Sequence, residues 1–120
     1  MRVLVADDSD IVRERLVAML NDTDGVEVVG EAQDGTTALD LIRRLNPEAV
    51  ILDMQMPNGT GIGVLEDVKK HSPHIKVIML TNYAYPQYRA KCLDAGADFF
   101  FDKSTEFAMV PEVLTKMIGG

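Results

Sequence analysis

The chain has one cysteine, Cys92, and no tryptophan in 120 residues. A single cysteine excludes a disulfide within the chain and a zinc site made of several cysteines. No apolar stretch approaches the ~20 residues that a membrane helix needs, and Asp7 follows only four apolar residues. The sequence therefore predicts neither membrane insertion nor a signal peptide, and we expect a cytoplasmic protein.

Basic residues are also scarce. Lysine and arginine number 12 against 19 aspartates and glutamates, which gives a formal net charge of −7. A nucleic-acid backbone would repel such a chain, so we expect no direct nucleic-acid binding. The length is typical of one domain that can bury its own core, and we treat residues 1–120 as that domain.

Four short apolar runs each end in polar residues that can do chemistry. The runs span residues 3–6, 49–52, 77–80 and 99–101 and are followed in turn by Asp7 with Asp8, by Asp53, by Thr81, and by Asp102 with Lys103. Because ligands bind beyond the carboxyl ends of the strands in an open parallel sheet, we expect these groups to share one crevice. The sequence thus predicts a site with the carboxylates of Asp7, Asp8 and Asp53, the hydroxyl of Thr81 and the ammonium of Lys103.

Segments with helical periodicity lie between the apolar runs. Their predicted buried stripes are Val12, Leu16, Met19 and Leu20; Ala38, Leu41, Ile42 and Leu45; Ile62, Leu65 and Val68; and Phe107, Val110, Leu114 and Met117. Strands are predicted near residues 2–6, 26–31, 48–53, 75–80 and 98–101, and the second has the weaker alternation of an edge strand. Five strands that alternate with helices predict a doubly wound parallel (βα)₅ sheet of the α/β class, with helices on both faces.

Asp7 and Asp8 lie at a predicted junction of strand and helix, where capping of the helix is one interpretation. Asp53 favours another, because three carboxylates at adjacent strand ends repel one another unless a cation lies among them. Oxygen ligands with room for water suit Mg²⁺. The cluster therefore predicts a divalent metal.

The remaining groups have two interpretations each. Lys103 is either a counter-ion for Asp53 or, beside a metal, part of a clamp for a transferring phosphoryl group. Thr81 is either a β-branched residue that ends a strand or a hydroxyl donor to a phosphoryl oxygen. Asp53 is the candidate nucleophile, because carboxylates accept phosphoryl groups as mixed anhydrides.

Four stretches, VLVADDS, VILDMQMPNGTGIGVL, VIMLTNY and AGADFFFDKS, together resemble the response-regulator receiver domain of two-component signalling along the whole chain. The resemblance implies a flavodoxin-like sheet with strand order 2-1-3-4-5. It also implies a signalling domain that catalyses only its own phosphorylation and dephosphorylation. Members of this family take the phosphoryl group from the phosphohistidine of a histidine kinase or a phosphotransfer protein, or from small acyl phosphates.

The same resemblance implies roles for individual residues. Asp53 is implied as the phospho-acceptor. The implied Mg²⁺ ligands are Asp8, Asp53 and the backbone carbonyl of Gln55, with Asp7 acting mostly through water. Thr81 and Lys103 are implied as phosphoryl contacts, and Phe100 as an aromatic switch that turns from an outward to an inward rotamer.

Three residues depart from the family pattern. Ser104 follows Lys103 where family members usually have proline, often with a cis peptide bond. Asn82 is larger than the residue common at its position and is expected to narrow access to Asp53. Phe100 stands where tyrosine is frequent, so any switching must work through packing alone.

The sequence also suggests two partner surfaces. A stripe beside the buried face of the first helix, made of Ile11, Arg15 and Ala18, is where we expect the kinase or phosphotransfer protein to dock. The fourth helix has apolar residues all round its axis, which is an interface signal. We expect a downstream effector or a homodimer contact on the face made by the fourth helix, the fifth strand and the fifth helix. The expected contacts there are Tyr85, Tyr88 and Arg89.

A small Mg²⁺-dependent phosphohydrolase with an aspartyl nucleophile is the alternative from the enzyme class. Such enzymes generally carry a second aspartate two residues after the nucleophile, where this chain has Gln55, and the chain is short of material for a cap over a substrate. A nucleotide or flavin binder is disfavoured because the G-x-G-x-x-G and G-x-x-x-x-G-K-[ST] patterns are missing. An interaction module that works without phosphorylation is disfavoured because every group needed for the chemistry is present.

Overall fold

Strands and helices alternate five times along the chain, as the apolar periodicity predicts. The structure, a computed structural model, describes residues 1–119, so Gly120 of the predicted domain lies outside the described residues. The elements are β1 (Arg2–Ala6), α1 (Asp10–Asn21), β2 (Glu27–Ala32), α2 (Gly35–Leu45), β3 (Ala49–Asp53), α3 (Gly61–His71), β4 (Lys76–Thr81), α4 (Pro86–Asp94), β5 (Phe99–Asp102) and α5 (Met109–Gly119). Each strand begins and ends within one residue of its predicted bounds.

The five strands form one parallel sheet in the order β2-β1-β3-β4-β5. This confirms the predicted doubly wound (βα)₅ sheet of the flavodoxin-like α/β class, including the edge position of β2. The chain passes from β1 to β2 on one side, whereas β3 lies on the other, so the strand order reverses beside β1. Open parallel sheets bind their ligands at such a reversal.

The strand register brings the carboxyl ends of the inner strands to one level. Ala6 of β1 pairs with Leu52 of β3, so Asp7 and Asp53 follow paired positions. At the other side of β4, Thr81 pairs with Asp102, which directly precedes Lys103. The predicted site residues therefore lie together at the carboxyl ends of the strands.

The core divides into two clusters because successive strand residues point to opposite faces. Val3 and Val5 belong to the cluster covered by α1 and α5, and Leu4 and Ala6 to the cluster covered by α2, α3 and α4. Buried helix residues include Leu16, Leu20, Val110, Val113 and Leu114 in the first cluster and Ala38, Ile42, Val64, Leu65, Val68 and Cys92 in the second. The predicted stripes therefore face the sheet, and helices cover both of its faces.

The helices that follow the first three strands each begin after a side chain that caps them. The capping side chains and the main-chain N–H groups they accept from are Ser9 with Val12, Asp34 with Thr37, and Thr60 with Gly63. By contrast, α4 begins at Pro86 without a side-chain cap, and its buried residue is Cys92. Most of its surface is left to solvent, in agreement with its irregular apolar pattern.

The helices run from nine to twelve residues. Within residues 1–119, none of them combines the length and the apolar character needed to cross a membrane.

Candidate functional site

The side chains that the sequence singles out come together at the carboxyl ends of the strands. Within residues 1–119, the buried polar or charged residues are Asp7, Asp53 and Thr81, and each lies at the carboxyl end of a different strand. Buried carboxylates are costly unless they are paired or hydrogen-bonded, so their burial together needs a compensating group. Lys103, directly after β5, is that group.

The Lys103 ammonium lies between two of these carboxylates. Its nitrogen is 2.7 Å from Oδ2 of Asp7 and 3.2 Å from Oδ2 of Asp53, and its side chain is 8% exposed. The sequence predicts Lys103 as a partner of Asp53, and the structure places it closer to Asp7. The lysine therefore serves both buried carboxylates.

Asp53 is the less compensated of the two. Its Oδ1 accepts a hydrogen bond from the main-chain N–H of Gln55 at 3.2 Å. Burial raises the pKa of the Asp53 carboxyl from 3.8 to about 6, the Lys103 ammonium opposes this, and the Asp7 carboxylate adds to it. The same two carboxylates raise the pKa of Lys103 although burial works against it. The lysine thus remains a cation.

The turn after β1 is fixed by hydrogen bonds of its own. Asp7 Oδ1 accepts from the N–H of Ser9 at 2.9 Å, and the main-chain oxygen of Asp7 accepts from Arg13 Nη1 at 2.8 Å. Ser9, and neither Asp7 nor Asp8, caps α1. The two aspartates are therefore free of the capping role that was one interpretation of the sequence.

Asp7, Asp8 and Asp53 form a cluster that suits a metal ion. Each offers a carboxylate oxygen, and these oxygens lie within 4.8 Å of one another. Asp8 is exposed, whereas the other two are buried. Hard oxygen ligands with one side open to water are what Mg²⁺ prefers.

A cleft of about 230 Å³ opens above the cluster. Its lining consists of Asp8, Ser9, Val12, Asp53, Gln55, Asn82, Tyr83 and Lys103. Asn82 thus lines the same cleft as Asp53, and the narrowing of access expected from its size stays a prediction. Sequence reasoning missed Ser9 and Val12, although a serine directly before a helix is a recognisable capping signal.

Thr81 lies outside the lining of the cleft. It is fully buried, and its hydroxyl oxygen accepts a hydrogen bond from the main-chain N–H of Tyr83 at 2.9 Å. That bond uses the oxygen as an acceptor and leaves the hydroxyl hydrogen free to be donated. A larger cavity of about 360 Å³ lies on α5, lined by Pro111, Glu112, Thr115 and Lys116, without a comparable group of carboxylates.

The main chain at the start of α3 packs closely against the main chain of Asp53. A Cβ atom at Gly61, the first residue of α3, would lie 2.1 Å from the main-chain oxygen of Asp53. No other residue fits there without displacing β3 or α3. The sequence offers a run of glycines in this region, but the contact itself depends on tertiary packing.

In the loop after β5, Ser104 stands where family members usually have proline. The peptide bond between Lys103 and Ser104 is trans. Lys103 reaches both carboxylates from this main-chain position.

The predicted docking residues on α1 are all at the surface. Ile11 is 72% exposed, and Ala18 is also exposed. The Arg15 guanidinium lies over the Phe107 ring, 4.6 Å from its centroid, so this side chain is held by the loop before α5.

Of the contact residues predicted at α4, Arg89 is linked to β5. The rings of Tyr85 and Tyr88 are 5.7 Å apart, and Tyr85 is 53% exposed. Arg89 Nη1 donates a hydrogen bond to the main-chain oxygen of Phe100 at 3.1 Å. Phe100 is 3% exposed and belongs to the core cluster under α4, and its role as a switch stays a prediction.

Comparison with known proteins identifies the family of this chain. The family model of the response regulator receiver domain matches residues 3–115. Response regulator GacA of Pseudomonas viridiflava is 37% identical over 123 aligned residues, which cover all of this chain and 56% of that protein. The chain thus spans little more than half the length of the curated relatives it matches.

Two solved structures show the same fold. The signal receiver domain of the putative response regulator NarL from Mycobacterium tuberculosis is 31% identical, with a TM-score of 0.91 over 99% of this chain and 96% of that one. The isolated REC domain of RcsB from Salmonella enterica serovar Typhimurium, solved in the presence of the phosphomimetic BeF3⁻, is 29% identical, with a TM-score of 0.92 over 100% and 89% of the two chains. The family match over nearly the whole chain, the shared strand order and the acidic cluster at the sheet edge show that this chain belongs to the response-regulator receiver domains, the signalling domains of two-component systems.

Proposed function

We propose that this domain accepts a phosphoryl group on the Asp53 carboxylate and reports it to a partner protein. The observation that carries the proposal is the Lys103 ammonium held between the buried carboxylates of Asp7 and Asp53 at the base of an open cleft. The RcsB domain was solved with a phosphomimetic, and that fact supports the same chemistry here. The donor is the phosphohistidine of a histidine kinase or phosphotransfer protein, or a small acyl phosphate.

Transfer forms a bond between a carboxylate oxygen of Asp53 and phosphorus, and breaks the bond from phosphorus to the donor. With phosphohistidine, the imidazole nitrogen keeps the electron pair of the broken bond and takes up a proton. With acetyl phosphate, acetate leaves with the electron pair. The product is a mixed anhydride on Asp53. Since the carboxyl pKa of Asp53 is about 6, most of the group is ionised and able to attack at neutral pH.

Receiver domains bind Mg²⁺ at an acidic pocket, and the cluster here fits that ion. Asp8, Asp53 and the backbone carbonyl of Gln55 would hold it directly, with Asp7 acting mostly through water. Three carboxylates and one ammonium leave a net charge of −2 at the site, which favours a divalent cation over an anion alone. When bound, Mg²⁺ supplies positive charge that neutralises the phosphoryl oxygens.

Lys103 and Thr81 bind the transferred group in this proposal. Lys103 lines the cleft and contacts Asp53, so its ammonium lies within reach of an oxygen on a phosphorylated Asp53. Thr81 keeps its hydroxyl hydrogen available while its oxygen accepts from Tyr83. Donation of that hydrogen to the phosphoryl group couples the site to β4 and, through it, to Phe100 on β5.

Two surfaces support the expected partners. The stripe of Ile11, Arg15 and Ala18 begins next to Val12, which lines the cleft, so a kinase docked on α1 would bring its histidine to Asp53. The face of α4, β5 and α5 carries the exposed tyrosine Tyr85. The hydrogen bond from Arg89 to the main-chain oxygen of Phe100 joins α4 to β5 within this face, which is the proposed output surface.

Mass spectrometry of the intact protein after incubation with acetyl phosphate and Mg²⁺ tests the proposal. We expect the mass of one phosphoryl group to be gained and then lost on treatment with hydroxylamine. Asp53→Asn should gain nothing, and Asp24→Asn, at an exposed aspartate between α1 and β2, is the matched control and should behave as wild type. Asp8→Ala should require more Mg²⁺ for the same rate.

Three outcomes would contradict the proposal. One is an equal gain of mass by the Asp53→Asn variant, and another is an Asp8→Ala variant with unchanged Mg²⁺ dependence. The third is continuous release of phosphate from many equivalents of a phosphate ester, which would favour a phosphohydrolase.

A further inference from the structure

Lys103 is fixed by hydrogen bonds on its N-terminal side. Its main-chain N–H donates to the main-chain oxygen of Thr81 at 2.9 Å, which extends the pairing of Thr81 with Asp102 by one residue. The main chain of Lys103 is thereby tied to the end of β4. The position of its Cα atom follows that of the sheet.

A second set of bonds lies on the C-terminal side. Asp102 Oδ1 accepts from both the N–H of Ser104 at 2.7 Å and the hydroxyl of Ser104 at 2.6 Å. The main-chain N–H of Asp102 donates to Glu106 Oε1 at 3.1 Å, and its oxygen accepts from the N–H of Glu106 at 2.8 Å. The residues on either side of Lys103 are thus joined to each other across it.

These bonds also occupy the nearest alternative partner of the lysine. A carboxylate adjacent in sequence could compete with Asp7 and Asp53 for the Lys103 ammonium. Ser104 donates two hydrogen bonds to Asp102 Oδ1, and within residues 1–119 the ion pairs of Lys103 are with Asp7 and Asp53. The ammonium is therefore left to the two carboxylates of the cleft.

The reach of Lys103 makes its main-chain position important. The side chain has a flexible four-carbon stem, and its nitrogen must meet two buried carboxylates at 2.7 and 3.2 Å. A group that stabilises a transition state loses much of its effect when its position changes by as little as an ångström. Any freedom in the loop between β5 and α5 would be passed on to the ammonium.

We propose that Asp102 and Ser104 are positioning residues for Lys103, joined in a clasp that sets how the ammonium meets the phosphoryl group on Asp53. The inference rests on the proposed function, because only phosphoryl transfer gives the Lys103 position a chemical consequence. Neither residue lines the cleft or contacts Asp7 or Asp53, so both act through Lys103.

Two measurements on the full chain test the clasp. The first is the rate at which Lys103 is acetylated by an N-hydroxysuccinimide ester in the absence of phosphate donors, followed by peptide mapping. Lys69 is the internal control, because its ammonium pairs with Asp98 at 3.0 Å and its side chain is 16% exposed. The second is the rate of phosphorylation by acetyl phosphate as a function of acetyl phosphate and Mg²⁺ concentration.

Ser104→Ala removes the hydroxyl bond, Ser104→Thr keeps it, and Asp102→Asn weakens the acceptor. For Ser104→Ala we expect acetylation of Lys103 to rise about threefold to tenfold, the effect of losing one solvent-exposed hydrogen bond, with no change at Lys69. The saturated phosphorylation rate should fall by a similar factor, with unchanged Mg²⁺ dependence. Ser104→Thr should restore both values, and Asp102→Asn should resemble Ser104→Ala.

The inference is overturned if Lys103 is acetylated at the wild-type rate in both Ser104→Ala and Asp102→Asn. A parallel rise at Lys69 would also overturn it, because that result indicates general loss of stability. A wild-type chain that takes no phosphoryl group contradicts the proposed function instead. The acetylation arm still decides whether the clasp positions the lysine.

Discussion

The ammonium nitrogen of Lys103 lies 2.7 Å from Asp7, closer than its 3.2 Å to Asp53. One cation is thus shared by two buried carboxylates and is nearer to the one that is not the proposed nucleophile. The burial of Asp53 is therefore only partly offset, and its carboxyl pKa lies at about 6. A metal ion beside Asp53 would therefore stabilise the ionised form of its carboxylate.

The raised pKa of Asp53 predicts a pH-dependent cost of keeping this residue ionised. The folded state holds the proton more tightly than the unfolded chain, whose carboxyl pKa is 3.8, so this group makes the fold less stable as pH rises from about 4 to 6. In metal-free buffer, the free energy of unfolding of Asp53→Asn should exceed that of wild type by a margin that grows over this window. The shift in the Asp53 pKa corresponds to a margin of about 3 kcal/mol in the free energy of unfolding by pH 7. Urea unfolding at several pH values measures the margin.

Magnesium ions provide the control for that prediction. They should recover stability in wild type above pH 6 and have little effect on Asp53→Asn, because the variant lacks one of the carboxylates of the cluster. Parallel pH profiles for the two proteins in metal-free buffer would show that burial of Asp53 is fully compensated and would contradict this account.

Tyr83 should prolong the phosphorylated state. Tyr83 lines the cleft beside Asn82 and is 46% exposed, so it lies where water would approach a phosphoryl group on Asp53. Tyr83→Ala should therefore lose the phosphoryl group faster than wild type, by about threefold or more if the ring excludes the attacking water. Dephosphorylation of purified phosphoprotein, followed by mass spectrometry, gives the rates. Tyr85→Ala, two residues further along and outside the cleft, is the matched control, and equal or slower loss in Tyr83→Ala would rule out shielding.

Ile11 should be a contact for the phosphoryl donor protein. It is an apolar side chain with 72% exposure on the first turn of α1, next to the cleft. Ile11→Glu should slow transfer from the kinase by about tenfold, the effect expected at a central apolar contact, and leave transfer from acetyl phosphate unchanged. Glu14→Gln, also exposed on α1, is the control. Loss of both reactions in Ile11→Glu would indicate misfolding, and loss of neither would place the docking surface elsewhere.

Phosphorylation should be felt on α4 and β5. Added negative charge beside Thr81 draws its hydroxyl hydrogen, and the adjoining strand carries Phe100, whose main-chain oxygen is bound by Arg89. Amide shifts measured with and without beryllofluoride and Mg²⁺ should change from residue 81 to 95 and from 99 to 103. Arg89→Ala should weaken the changes on α4, whereas Lys91→Ala, exposed on the same helix, should not. Changes confined to the loops around Asp8 and Asp53 would contradict this route.

The fold and the set of residues that form the site can be predicted from local sequence. Each inner strand is a short apolar run that stops at a polar group, so the strands and the residues at their carboxyl ends can be read together. The register that aligns Asp7 with Asp53 then follows from parallel pairing of these runs. Ser9 as the cap of α1 could also have been predicted, because serine before a helix is a common cap.

The geometry within the site could not be predicted in this way. Whether Lys103 lies closer to Asp7 or to Asp53 depends on side-chain paths across the cleft, and the burial of Phe100 depends on packing under α4. The contact of Gly61 with the main chain of Asp53 joins two segments whose distance only the folded sheet sets. These features arise from tertiary packing and leave no periodic signal in the sequence.

The site of the acyl phosphate tests the central claim most directly. Borohydride reduces an aspartyl phosphate to homoserine, so treatment of the protein labelled with acetyl phosphate and Mg²⁺, followed by peptide sequencing in a mass spectrometer, identifies the modified position. We expect homoserine at position 53 alone. Homoserine at position 7 or 8, or none in protein that has gained a phosphoryl group, would contradict it.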